Sequence, residues 1–378
     1  MDLQPLIINY NSKFSLIHTN ISKGLAASFM VYYHLHFVIK KNCIHEFGLN
    51  FSKIFGIYSK ICTGIYVFLT GLGFYYSLIK LSSLKEMYKK IFKNFFKLLL
   101  NFYVILFLFF PLGLKAKLFS FNKNILKQIF FFSYSRFNYW WYIRQYLVIL
   151  CYAPLIIRFY QNISLKKKVI PFFYFYIIYM ILKYIDTNFK SKSINYEIFH
   201  TYFNQIFTYK IIFLFLSGNF CARYNIMSNY ENGDKIDKLF FYSFSIFTSI
   251  YFRKIIVTFD NDIVLDFLCV PLLIFPISYL FAEIKTLKFI FCFLGKHSTN
   301  IWLLHGYWLQ EIIISKKFLY FPKYTFLIWI WIMLLTIFTS YIVNIIFIPL
   351  NNLLFKKVLN YEGYFYINYN NKKKKEKD

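Results

Sequence analysis

Lys23 and His34 stand eleven residues apart within the apolar stretch Ile21–Ile39. On an α-helix that spacing is three turns plus roughly 20°, so the ammonium and the imidazole share a face, about 16 Å apart along the axis. A second histidine, His305, lies in another apolar run that begins near Gly295-Lys296-His297-Ser298. Ser298, Trp302, His305 and Leu309 fall on one face of that run. A neutral imidazole takes a proton from a hydroxyl as the hydroxyl attacks a thioester. Fixed cations suit the phosphates of coenzyme A, whose linear pantetheine arm would bridge the roughly 16 Å from Lys23 to His34. Lys89, Lys90, Lys93 and Lys97 are further phosphate candidates, or else a basic anchor at the membrane surface. A plainer reading also fits: Lys23 snorkels from a helix end and His34 is satisfied by a neighbouring helix.

The elements that must hold these residues are membrane helices. A mean hydropathy of +0.47 with 58% hydrophobic residues over 378 excludes a soluble domain and implies an integral membrane protein. Apolar runs long enough to span fall at 22–40, 56–79, 95–114, 139–158, 169–186, 205–223, 239–259, 263–283, 290–314 and 324–349. The expected fold is therefore all-α, with about ten transmembrane helices and no internal repeat. A 1–20 N-terminal segment, a 21–350 transmembrane domain and a 351–378 basic tail of low complexity make up the chain. Pro111, Pro154, Pro171 and Pro349 lie near expected helix ends, whereas Pro271 and Pro276 fall inside a run and predict a kink or break. Counting Lys and Arg on alternate sides gives 25 against 17, with Arg144 and Lys210 inside runs. Both termini are thus expected in the cytoplasm. The net charge of +28 sits in short segments between apolar runs, which fits topology and anionic lipid rather than nucleic acid.

Among the remaining candidates, Arg144 lies beside Trp140, Trp141 and Tyr142 in a chain with 39 lysines and 5 arginines. It suits either a sugar acceptor or a cation–π clasp. Glu311 is an ion-pair partner or an acceptor contact, and Asp260 and Asp262 are turn residues or glycan contacts. His36 points about 200° from His34 and reads as packing. The six cysteines are scattered, with no CxxC and no His/Cys cluster at metal spacing, so neither a disulfide framework nor a metal site is expected. Residues 1–20 lack the apolar core of a signal peptide.

Taken in order, several stretches resemble the acyltransferase-3 family of membrane O-acyltransferases. Lys23-x10-His34 is similar to its first-helix Arg/Lys-x10-His pattern, and Ile21-Ser22-Lys23-Gly24-Leu25-Ala26-Ala27 resembles its opening. Val67-Phe68-Leu69-Thr70-Gly71-Leu72-Gly73-Phe74 resembles its second-helix stretch, and Trp141-Tyr142-Ile143 with Tyr146 and Pro154 its Trp-Phe segment. Phe215-Leu216-Ser217-Gly218 and Leu294-Gly295-Lys296-His297-Ser298 with His305 complete the set, over roughly 15–350. Lysine stands where the family more often has arginine, at position 23 and after the second helix. The resemblance implies transfer of an acyl group, acetyl above all, from cytoplasmic acyl-CoA to a hydroxyl of a cell-envelope polysaccharide or lipid-linked glycan. It implies His34 as base with His305 beside it, Lys23, Lys93 and Lys97 toward acyl-CoA, and Arg144, Glu311 and Ser298 toward substrate. Acyl-CoA is then a donor substrate, with no tightly bound cofactor and no metal, and the setting is the inner (plasma) membrane among its lipids. A polytopic transporter or flippase for lipid-linked sugars is the alternative, and it predicts no dependence on a thioester.

Overall fold

A computed structural model describes residues 14–42, 55–56, 58–115, 141–162, 209–226, 234–259, 266–309 and 316–375, with isolated positions 177 and 181. It is all-α. The helices are α1 (Leu16–Asn42), α2 (Cys62–Leu78), α3 (Leu84–Lys115), α4 (Trp141–Asn162) and α5 (Tyr209–Arg223). They continue as α6 (Lys235–Phe259), α7 (Asp266–Glu283), α8 (Lys285–Leu309) and α9 (Thr325–Lys375), with a four-residue helical turn at Lys316–Leu319.

The expectation of about ten transmembrane helices is corrected by this arrangement. Among the described residues three helices are long and apolar enough to cross a membrane: Leu84–Lys115, Asp266–Glu283 and Thr325–Leu354. Cys62–Leu78 and Ile211–Arg223 are shorter apolar helices. The protein is thus a polytopic membrane protein with a few apolar spans. Other runs that look like spans in sequence carry polar residues turned inward. In α1 these include buried Ser22, Ser28 and His36, and in α8 they include His297, Ser298, Asn300 and His305. Apart from positions 177 and 181, the expected run at 169–186 lies outside the described residues, as does the start of 205–223.

Two helix starts show local capping. Ser15 accepts the first intrahelical bond of α1, from Thr19 N–H, and the His18 ring reaches back to accept from Ser15 N–H at 3.0 Å. The His18 ring thus satisfies the Ser15 N–H, the half of a capping box that glutamate or glutamine usually supplies. Ser83 caps α3 by accepting from the Glu86 N–H at 3.2 Å, an S-x-x-E signature. The helix therefore starts eleven residues before the apolar run at 95–114, and Lys85–Lys97 are helical rather than loop residues. Along its outer face Lys85 and Lys89 give way to Phe92, Phe96 and Phe107, the change from headgroup to acyl contact that an interfacial lysine boundary produces.

The prolines are accommodated inside helices. Pro154 lies within α4 and Pro349 within α9, not at their ends. Pro271 and Pro276 do not break α7, which is continuous from Asp266 to Glu283. Each proline lacks the N–H that would bond the carbonyl four residues earlier, freeing Phe267 and Leu272. Neighbouring helices supply the missing donors: Ser217 Oγ of α5 donates to the Phe267 carbonyl at 2.9 Å, and Ser245 Oγ of α6 to Leu272 at 2.8 Å. With no water in a bilayer core, such capture is what lets a proline-bearing span persist.

Ser245 opens a polar seam that docks α6 on α7. Ser249 Oγ donates to the Cys269 carbonyl at 2.7 Å, and Arg253 forms an ion pair with Asp266. Positions 245, 249 and 253 climb one face of α6 while 272, 269 and 266 descend α7, as an antiparallel pair requires. The opposite face of α6 presents Ile236, Phe240, Phe244, Phe247 and Tyr251 outward, a stripe suited to lipid. Arg253 and Asp266 are 4% and 0% exposed.

Two backbone crossings without intervening side chains organise the interior. A Cβ on Gly24 of α1 would sit 2.2 Å from the Phe291 carbonyl oxygen, and one on Gly295 of α8 would sit 2.0 Å from that of Asn20. Likewise a Cβ on Gly71 of α2 would lie 2.1 Å from the Phe215 oxygen, and one on Gly218 of α5 2.1 Å from that of Phe68. Small residues at such crossings let membrane helices pack backbone to backbone. α1 and α8 form the most extensive helix pair, and the apolar core surrounds them. One cluster lies toward α2, α5 and α7, a second joins α1, α8 and α9, and a third joins α3, α8 and α9.

Candidate functional site

The Gly24–Gly295 crossing sets the site. Lys23 precedes one glycine and Lys296 follows the other, so close contact of the helices brings both lysines to one end of the pair. α1 and α8 run parallel from there: Asn20 lies by Gly295, and farther along His34 lies by His305. The two imidazoles have ring centroids 5.1 Å apart and planes inclined by 33°. His305 is fully buried. Its Nδ1 lies 2.7 Å from the Trp302 carbonyl and 3.2 Å from that of Ile301. A carbonyl only accepts, so Nδ1 carries the proton of the neutral ring and Nε2 holds the basic lone pair. His36, on the other face of α1, is buried against Gly56 and belongs to packing.

Beside the lysine end lies a cavity of about 410 Å³, within the size range of small-molecule sites. Lys23, Lys97 and Lys296 stand on its wall, from three different helices. Lys97 reaches it with Asn94, Leu98 and Asn101, the i, i+3, i+4, i+7 face of α3. Ser298, Thr299 and Thr70 add hydroxyls, while Tyr66, Tyr142, Tyr146 and Trp302 form an aromatic side. Neither histidine is part of this wall. The cavity reaches the level of Trp302, and His305 is one helical turn beyond it.

One border of the cavity is a chain of amides that draws α3, α8 and α9 together. Asn101 Nδ2 donates to Asn300 Oδ1 at 2.6 Å, and Asn300 Nδ2 donates to Ser340 Oγ at 2.9 Å and to Asn344 Oδ1 at 3.0 Å. Ser340 Oγ lies 2.8 Å from His297 Nδ1. Once the Ser340 oxygen has accepted from Asn300, its own proton is free to be donated to that ring nitrogen.

The structure thus brings Lys23, Lys97 and Ser298 into one cavity, and His34 and His305 together beyond it. It does not bring Lys93 onto the cavity wall. Arg144 is in the first turn of α4, but its side chain lies outside the described residues, as do Glu311, Asp260 and Asp262. Lys296, the amide chain and the Arg253–Asp266 pair were missed by sequence reasoning. Each carried the same available signal, a polar residue inside an apolar run. Among the described residues no group of three His, Cys, Asp or Glu is placed to hold a metal ion. No family model, curated protein or solved structure matches the chain.

Four stretches of the chain meet two by two. The stretch around Lys23 crosses that around Lys296 at Gly24 and Gly295, and the stretch around Thr70 crosses that around Ser217 at Gly71 and Gly218. The glycines serve as contacts between backbones, while Lys23, Thr70, Lys296 and Ser298 line the cavity.

Proposed function

We propose that the protein is a membrane O-acyltransferase that moves a short acyl group from acyl-CoA to a hydroxyl of a cell-envelope glycan. The observation that carries this reading is a cavity with three lysines at one end of the α1–α8 pair and two facing imidazoles farther along it. Ammonium groups fixed on three helices suit a polyanionic phosphate end. The aromatic and amide walls suit a ligand that is part apolar and part amide. In the transfer, the acceptor hydroxyl oxygen bonds to the thioester carbonyl carbon and the C–S bond breaks. The hydroxyl proton passes to the imidazole of His34 and from there to the departing thiolate, which leaves as free coenzyme A thiol. His305, with Nδ1–H tied to the backbone of its own helix, keeps Nε2 as an acceptor beside His34 and positions it. The lysine end, with both termini, faces the cytoplasm of an inner membrane, where acyl-CoA is supplied.

The test is analysis of envelope glycan from cells with and without the protein for alkali-labile ester groups. Esters that vanish with the protein and return with the wild-type gene support the reading. An unchanged ester content contradicts it.

A further inference from the structure

A row of side-chain amides crosses the cavity wall one helical turn beyond the lysines. Asn101 stands four residues past Lys97 on α3, and Asn300 four past Lys296 on α8, about 6 Å of rise in each case. Asn344 of α9 completes the row, and all three amides line the same cavity as the lysines. The row has a direction. Asn101 Nδ2 donates to Asn300 Oδ1, and Asn300 Nδ2 donates in turn to Asn344 Oδ1. A primary amide carries one acceptor oxygen and two N–H donors. At the starting end, Asn101 Oδ1 is buried in the wall. At the other end Asn344 is half-buried, and with its oxygen taken by Asn300 its Nδ2 is the donor left over. Among the described residues Asn344 Nδ2 bonds to no acceptor of the chain, and no carboxylate lines the cavity to receive it.

We propose that Asn344 is a binding residue for the acyl donor, its Nδ2 donating to an amide carbonyl of the donor's arm. This inference rests on the acyltransferase reading above. A donor seated with its phosphates at Lys23, Lys97 and Lys296 passes its arm along the amide row, because the lysines and the amides belong to one cavity. The pantetheine arm carries secondary amides, whose carbonyl oxygens only accept. A spare N–H on the wall at that level is what such an oxygen requires. Asn300 fixes the Asn344 amide and is itself steadied by Ser340, since Asn300 Nδ2 donates to both. The contact reads the arm and not the phosphates, so the site distinguishes a pantetheine thioester from a nucleotide that carries the same phosphates.

The experiment measures release of coenzyme A thiol from acetyl-CoA by membranes that carry the full-length chain and its native acceptor. The inhibitor is 3′-phosphoadenosine 5′-diphosphate, which has the phosphates of coenzyme A and none of its amides. The readout is the KM for acetyl-CoA divided by the inhibition constant of the nucleotide, a ratio independent of how much protein each membrane holds. Asn344→Leu should raise that ratio about three- to tenfold, the loss of one neutral hydrogen bond, through KM and with the inhibition constant near wild type. Asn344→Asp keeps the oxygen that accepts from Asn300 but presents no N–H, and it should raise the ratio too. Ser340→Ala removes a bond of the same row away from the cavity wall, and it should lower the melting temperature without raising the ratio. Turnover with an unchanged ratio in either Asn344 variant, or a ratio raised as much by Ser340→Ala, overturns this proposal alone. A wild type that releases no thiol from acetyl-CoA overturns the acyltransferase reading, and this inference with it. A wild type that the nucleotide does not inhibit overturns the seating of phosphates at the lysines, and again this inference with it. Should Asn344→Leu fail to accumulate, Asn344→Asp decides on its own.

Discussion

A methyl group at position 295 tests whether the α1–α8 contact sets the site. The Cβ of Gly295→Ala would lie 2.0 Å from the Asn20 carbonyl oxygen, 2.7 Å from its carbon and 2.9 Å from its Cα. An ordinary contact needs about 3.4 Å, and none of those three atoms belongs to a side chain that can rotate away. The helices must therefore separate by roughly 1 Å, at an overpacking cost of about 1–3 kcal/mol. That displacement acts on the pair that carries Lys23 and His34 on one side and Lys296 and His305 on the other. A misplacement of about 1 Å is enough to cost on the order of 10²-fold in rate. Thiol release from acetyl-CoA, per amount of folded protein in matched membranes, should fall by about that factor, with a lower melting temperature in detergent. Gly73→Ala is the control, because a Cβ there meets nothing within 4 Å; it should leave both readings near wild type. Wild-type turnover and melting in Gly295→Ala would refute the argument that this crossing positions the site.

Other outcomes follow from the same geometry. His34→Ala should remove about 10²–10⁴-fold of activity, the usual contribution of a general base, while His36→Ala, which alters packing beside Gly56, should act on melting temperature before rate; equal kinetic loss in the two would end the assignment of His34. Lys23→Gln should raise the apparent KM for acyl-CoA about 10- to 150-fold, equivalent to about 1.5–3 kcal/mol for a hydrogen bond to a charged group, with Lys23→Arg retaining donor use, and acyl-CoA titrations that show no change in Gln would leave Lys23 as an interfacial anchor. Asp266→Asn should destabilise by about 3–5 kcal/mol, since the Arg253 guanidinium is left buried without its counter-charge, and the double change Arg253→Met with Asp266→Leu should recover most of that; a wild-type unfolding midpoint for Asp266→Asn would show that the pair is not a structural clasp.

The relative placement of Lys23, His34 and His305 was legible in sequence because it is local to two helices. The eleven-residue spacing from Lys23 to His34 needs only helical periodicity, and the depth of His305 below Lys296 follows from the rise per residue. What the chain hides is tertiary. Asn101 and Asn300 are single amides in unrelated apolar runs, and nothing local says that one bonds the other. Arg253 and Asp266 are a buried ion pair, and two buried ions in contact carry the same letters in sequence as two solvated ones. Pro271 and Pro276 announce freed carbonyls, but the serines that capture them are on α5 and α6. The span count failed for a related reason. By length and composition only three of the described helices suffice to span, and α1 and α8, which carry Ser22, Lys23, Ser28, His34 and His36 and Lys296, His297, Ser298, Asn300 and His305, are not among them. The start of α3, by contrast, was written locally, in Ser83 and Glu86, ahead of the apolar run that drew attention instead.

The account stands on acyl transfer through His34, and label transfer reads that directly. Membranes holding the wild-type protein, or His34→Ala at equal abundance, are given acetyl-CoA labelled in the acetyl group, and the glycan fraction is then assayed for label released by mild alkali. The account predicts alkali-labile label with wild type and close to none with His34→Ala. Label that appears without the protein, or that appears equally with both forms, would contradict it.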